Sequence, residues 1–182
     1  MASARIAAFL GAGALALGAC APTIVNLSPV EDAQLRFLVV GYLDNYADQL
    51  AVGFERAPDQ TDHTVRLLRG QSQDIEVRLQ SGVEYRVLGS CDNECADVDL
   101  AIYDSRGRLL DSDLLLDDYP VLNLRADTTN LYRIRVTMAS CRIAPCYAAV
   151  RIYQAPQRQR GDLQVAEASA SPSASHIPER RG

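Results

Sequence analysis

Between residues 64 and 153 the chain alternates apolar and polar residues in short runs, with no helical stretch between them. That alternation constrains the fold most, because a period of two sends successive side chains to opposite faces of a strand. "DIEVRL" sets Ile75, Val77 and Leu79 on one face, and "VEYRVL" does the same with Val83, Tyr85 and Val87. "DVDLAIYD" turns Val98, Leu100 and Ile102 inward and leaves Asp97, Asp99 and Tyr103 outward. Ser81-Gly82 reads as a hairpin turn, and "DSRGR" as another, with Gly107 where a positive φ is needed. With "RLLDS", "VLNLRA", "LYRIRVTM" and "YAAVRIY" the count is seven strands, or eight with "TVRLLR". The expected fold is mainly β, an antiparallel sandwich over residues 62–153.

A helix precedes it. Ser28, Pro29 and Glu31 supply an N-cap, a first-turn proline and a capping box. Leu35, Leu38, Val39, Tyr42, Leu43, Tyr46 and Leu50 follow at helical spacing, so residues 29–57 are assigned to an amphipathic helix. Its stripe either packs on the sandwich or docks on a partner; Phe37 and Val40 widen it slightly. Residues 154–182 lose all pattern and read as a disordered tail.

The N-terminus reads as an export signal. Residues 6–19 form a 14-residue apolar run behind Arg5, too short to span a membrane. The run ends in "LGAC", which resembles the lipobox of bacterial lipoproteins and places a lipid on Cys20. On that reading residues 1–19 are removed and 20–28 form a tether. The mature chain is held by acyl chains on the periplasmic side of the outer membrane or at the cell surface.

Cysteine parity agrees. Of five cysteines, Cys20 takes the lipid and four can pair. They fall as "CDNEC" and "CRIAPC", spacings that suit disulfides in an exported protein better than a C-x2-C zinc site. Local pairs, Cys91 with Cys95 and Cys141 with Cys146, would each pin one turn; crosslinking the two loops to each other is the alternative.

Charge excludes several functions. The net charge is -5, against non-specific nucleic-acid binding, and all 18 basic residues are arginine, which rules out lysine chemistry. His63 and His176 are the only histidines; "DQTDHT" places His63 in an exposed polar loop, and His176 lies in the tail. Residues 91–118 hold nine acids against Arg106 and Arg108. Strand counting brings the two cysteine loops and the 113–118 loop to one end and Asp104 to the other. Like charges this close are costly unless solvated or bridged by a cation. The acids therefore form a solvated rim, a calcium site or, least readily, an acid/base pair. Asp97, Asp99, Asp117 and Asp118 are the first calcium candidates, with Asp92 next.

"GQSQDIEVRLQSGVEYRV", "DVDLAIYDSRGRLLDSD" and "LYRIRVTM" together resemble the bacterial pre-peptidase C-terminal (PPC) domain over roughly residues 68–153. The resemblance implies a jelly-roll-like sandwich without catalytic residues, an accessory of secreted proteases implicated in substrate binding, secretion or solubility, sometimes with calcium. Asp97 and Asp99 would be its D-x-D-L acids. No protease domain accompanies it here. The expectation is a non-catalytic envelope module that binds a protein or glycan, or else an assembly subunit that docks through residues 29–50.

Overall fold

The computed structural model describes residues 23–157; residues 1–22, Cys20 among them, and residues 158–182 lie outside them. The chain opens with β1 (Thr23–Ile24) and α1 (Pro29–Leu50), followed by β2 (Glu55–Arg56), β3 (His63–Leu67), β4 (Ser72–Leu79) and β5 (Glu84–Cys91). It continues with β6 (Cys95–Tyr103), β7 (Leu109–Asp113), β8 (Val121–Arg125), β9 (Asn130–Cys141), β10 (Ile143–Ala144) and β11 (Cys146–Gln154).

Two antiparallel sheets face each other. One runs β4-β9-β6-β7; the other runs β2-β11-β5-β8, with β3 pairing beside β2 on β11. The eight long strands are the eight alternating runs of the sequence. Their inward residues, among them Val77, Leu79, Val87, Leu100, Ile102, Ile134 and Val136, form a single buried cluster between the sheets. Apolar area removed from water at that interface is the main stabilising term.

The connections differ from the expected hairpins. Ser81-Gly82 does turn the chain, with Gly82 at φ 81°, but β4 and β5 sit in different sheets. Among the described residues only β6 and β7 are consecutive strands paired with each other, around Gly107 at φ 81°. The other turns carry the chain across the sandwich, so the alternation fixed each strand's inner face but not its neighbour.

Helix α1 lies on the outer face of the five-stranded sheet. Ser28 and Glu31 form the capping box, with the Ser28 N–H donating to Glu31 Oε2 at 2.8 Å. Val39 and Leu43 are fully buried against Leu88, Tyr147, Ala149 and Tyr153. This cover explains why β11 does not alternate: its first eight residues are buried on both faces. The helix stops at Leu50, whose carbonyl accepts from Arg86 Nη1, and Gly53 at φ 79° turns the chain into β2. The segment before the helix is no free tether, since Thr23 and Ile24 pair in parallel with Ile143 and Ala144. Among the described residues no helix is long and apolar enough to cross a membrane.

Candidate binding end of the sandwich

Both disulfides are local. Cys91 pairs with Cys95 and Cys141 with Cys146, with Cα atoms 5.9 and 6.0 Å apart. Cys95 lies opposite Cys141 across β6 and β9, so the two stapled turns adjoin. The Arg142 N–H donates to the Glu94 carbonyl at 2.8 Å and ties one turn to the other. Asp92 serves this frame. Its Oδ1 accepts from the N–H groups of Glu94 and Cys95, and its Oδ2 accepts from Tyr147 N–H at 2.8 Å. Burial pushes its carboxyl up, and the three backbone donors offset only part of that.

The nine acids divide by neighbour. Asp104 closes the far turn, accepting from the N–H groups of Arg106 and Arg108, both at 2.9 Å. Backbone and then side-chain bonds to Arg108 hold its carboxyl below the usual range. Asp111 and Asp113 point toward the other sheet. Asp113 Oδ2 accepts from Val121 N–H at 2.8 Å and Asp111 Oδ2 from Asn123 N–H at 2.7 Å. Those are outward N–H groups of β8, the edge of its sheet, and the two carboxylates cap them where another strand could add. Glu94 pairs loosely with Arg142 at 3.9 Å.

The structure sets Asp97 beside Asp117, and Asp99 beside Asp97 and Asp113. Val98 N–H donates to the Asp117 carbonyl at 3.1 Å, which folds the 113–118 loop against β6. Asp97 was expected to face outward; it is only 7% exposed, and its buried Oδ1 has no hydrogen-bond partner. Ladder irregularities on both sides of Asp97 accompany this placement. Burial, then Asp117, pushes the Asp97 carboxyl up; burial, then Asp97 and Asp113, does the same to Asp99. Asp118 stands instead beside Tyr46, whose hydroxyl is pushed up by burial and then by Asp118. Among the described residues no three His, Cys, Asp or Glu side chains stand at metal-holding distances.

Beside these acids the 113–118 loop exposes three leucines: Leu114, Leu115 and Leu116, the last 89% exposed. The run of three unalternating leucines in "DLLLDD" was the signal for this tip, hidden by its acids. His63 is not in an exposed loop. It opens β3, half-buried, with a buried Nε2 that lacks a partner, and burial pushes its imidazole down despite Asp62. Phe37 does not widen the packed stripe of α1; it lies on the outer side and is 81% exposed. Cys20 and His176 lie outside the described residues. No protein-family model matches the chain, and no curated protein is significantly similar to it.

Proposed function

We propose that this chain is a lipoprotein of the bacterial cell envelope, anchored through acyl chains on Cys20, whose sandwich is a non-catalytic binding module of the PPC kind. One observation carries the binding role: three exposed leucines project from the 113–118 loop, which is held against β6 beside Asp97 and Asp99. An exposed apolar tip on a rigid frame is a contact surface in search of a partner. The partner class is an envelope protein or glycan. Nucleic acid is disfavoured by the net charge of -5. The antiparallel sandwich and the position of the D-x-D-L acids on β6 support the PPC reading.

A photo-crosslinking residue in place of Leu115 tests this in native membranes. A discrete crosslinked species that disappears in the Leu116→Asp variant is expected. Crosslinks no stronger than those from an exposed position on β4 would retire the binding role.

Calcium is the cofactor this end would accept. Asp97 Oδ1 is a buried carboxylate oxygen with no donor, which suits a cation as well as it suits nothing else nearby. Asp99 and Asp117 would be its further ligands, while Asp118 stands beside Tyr46 and Asp92 is engaged by backbone donors. A second reading, an assembly subunit docking through residues 29–50, is favoured by the bare outer face of α1. On that reading Phe37→Asp frees the protein from its complex without unfolding it, as size-exclusion chromatography of detergent extracts would show.

A further inference from the structure

Helix α1 is apolar on two sides. One side is buried on the sheet through Val39 and Leu43. The opposite side presents Val30, Ala33, Phe37, Leu38, Gly41 and Tyr42 along a shallow groove that no charged side chain lines. Val30 is 65% exposed and Phe37 is 81% exposed. A second shallow hollow, lined by Val25, Leu35, Ile143 and Pro145 but also by Asp92 and Glu94, adjoins the first at Leu38, which belongs to both. Ile24 is exposed beside it on β1. The apolar strip is confined to this end of the helix: the later turns expose Asp44, Asp48 and Gln49 instead.

The chain's own connectivity says what lies opposite. Only Ala21 and Pro22 separate Cys20 from Thr23, and three residue steps reach at most about 11 Å. Thr23 is held in register with Ile143, in the loop stapled by the Cys141–Cys146 disulfide, and Val25 N–H adds a bond to the Ala144 carbonyl at 2.7 Å. The body of the protein therefore begins within one short span of the anchor. Resting on the reading that Cys20 is acylated, we infer that the outer face of α1 around Val30 and Phe37 lies in the membrane interface. The lipid holds the protein there, and the helix face fixes its orientation. An uncharged apolar strip meets the boundary between headgroups and acyl chains, where such helices bury about 5–10 Å of depth. The orientation leaves the sandwich standing off the bilayer.

The sequence contains no tryptophan, so one introduced indole is a sole reporter. The acylated chain, purified from membranes and reconstituted in phosphatidylethanolamine–phosphatidylglycerol vesicles, would carry Phe37→Trp or, as control, Leu131→Trp on β9, which is 46% exposed. Co-flotation with the vesicles and the mass of the Cys20 modification are recorded first. The expected result is blue-shifted Phe37→Trp emission, quenched about two-fold by lipids brominated near the headgroup end of the acyl chain, as an interfacial depth requires. The control stays open to an aqueous quencher. Phe37→Trp emission as wet as the control, in protein that floats, overturns the inference and leaves the anchor intact. Shielding without lipid that grows with protein concentration assigns the face to a second copy. Shielding in native membranes but not in pure lipid assigns it to another protein. Either result overturns the inference. Absence of acyl mass on Cys20 instead sinks the anchor reading and takes this inference with it.

Discussion

Arg151 and Asp62 meet through two parallel hydrogen bonds, Nε to Oδ1 and Nη2 to Oδ2, each 2.8 Å long. The Arg151 side chain is 4% exposed, on the helix-covered face of β11, and its Nη1 also reaches Asp44 on α1 at 2.5 Å. A guanidinium here ties the β2–β3 segment and the helix to the sheet. Burial pushes the Asp62 carboxyl up, but Arg151 and then Arg56 more than offset it, so it titrates below the usual range. Asp62→Asn removes the charge and one of the two acceptors facing a buried cation and is expected to cost about 3 kcal/mol in urea unfolding at neutral pH. The sign with pH follows. A carboxyl depressed by folding adds stability above its unfolded value of about 3.9, and that stability is lost as pH falls through the folded value. The gap between wild type and Asp62→Asn should therefore narrow in acid. A gap unchanged down to the acid limb would show that the pair is not the source.

At the other end of the helix, Tyr147 donates its hydroxyl to Asp32 Oδ1 at 2.5 Å. The residue is fully buried, and its hydroxyl is pushed up to about 12, by burial first and by Asp32 second. An acid raised by folding contributes stability that is complete below its unfolded value of about 10 and is lost as pH rises through about 12. The full contribution is about 3 kcal/mol. Ultraviolet titration should show one of the eight tyrosines ionising after the rest, together with a loss of helix signal. In Tyr147→Phe that late step should be absent.

Gly89 on β5 is fixed by closeness rather than by backbone angle. A Cβ there would stand 2.7 Å from Pro120 Cγ and 3.1 Å from Leu100 Cδ1, while its N–H donates to the Pro120 carbonyl at 2.8 Å. Neither neighbour is a flexible tip. Gly89→Ala should cost about 1–3 kcal/mol through overpacking. Thermal unfolding unchanged within error would mean that the 113–120 segment yields easily, and would weaken the case for a rigid tip at the leucines.

The alternation of the strands was legible because each inner face is buried in one shared core, so Val77, Val87 and Leu100 declare themselves. Pairing was not legible. The same Ser-Gly turn serves a hairpin or a crossing between sheets, and nothing local to residues 79–84 distinguishes them. The disulfides were legible from spacing and parity, since a short loop favours its own closure. The separate roles of the acids were not legible because charge is visible in sequence but hydrogen-bond partners are not. Asp111 and Asp113 cap an edge strand, and Asp92 holds three backbone donors. Phe37, off the main stripe, read as a slight widening of it because a helix with two apolar faces has no clear polar side to oppose it.

Asp97 gives the last test, because its Oδ1 is buried without a donor among carboxylates. A carboxyl raised by folding subtracts stability at neutral pH and returns it as pH falls through the folded value toward the unfolded one of about 3.9. Asp97→Asn removes that charge, so at pH 7 without calcium it should stabilise the fold by about 1 kcal/mol, the lower range for an unsatisfied buried group. The same advantage should shrink as the solution is acidified. Calcium distinguishes a filled site from a strained one. In wild type, millimolar calcium should raise the unfolding midpoint, since a cation that binds only the folded state stabilises it by mass action. In Asp97→Asn the shift should vanish, and in Asp118→Asn it should persist, because Asp118 faces Tyr46. Magnesium should act more weakly, since it demands a tighter octahedron than carboxylates set by one strand and one loop provide. A wild-type midpoint indifferent to calcium would leave Asp97 as a buried charge whose cost is borne by the rest of the sandwich.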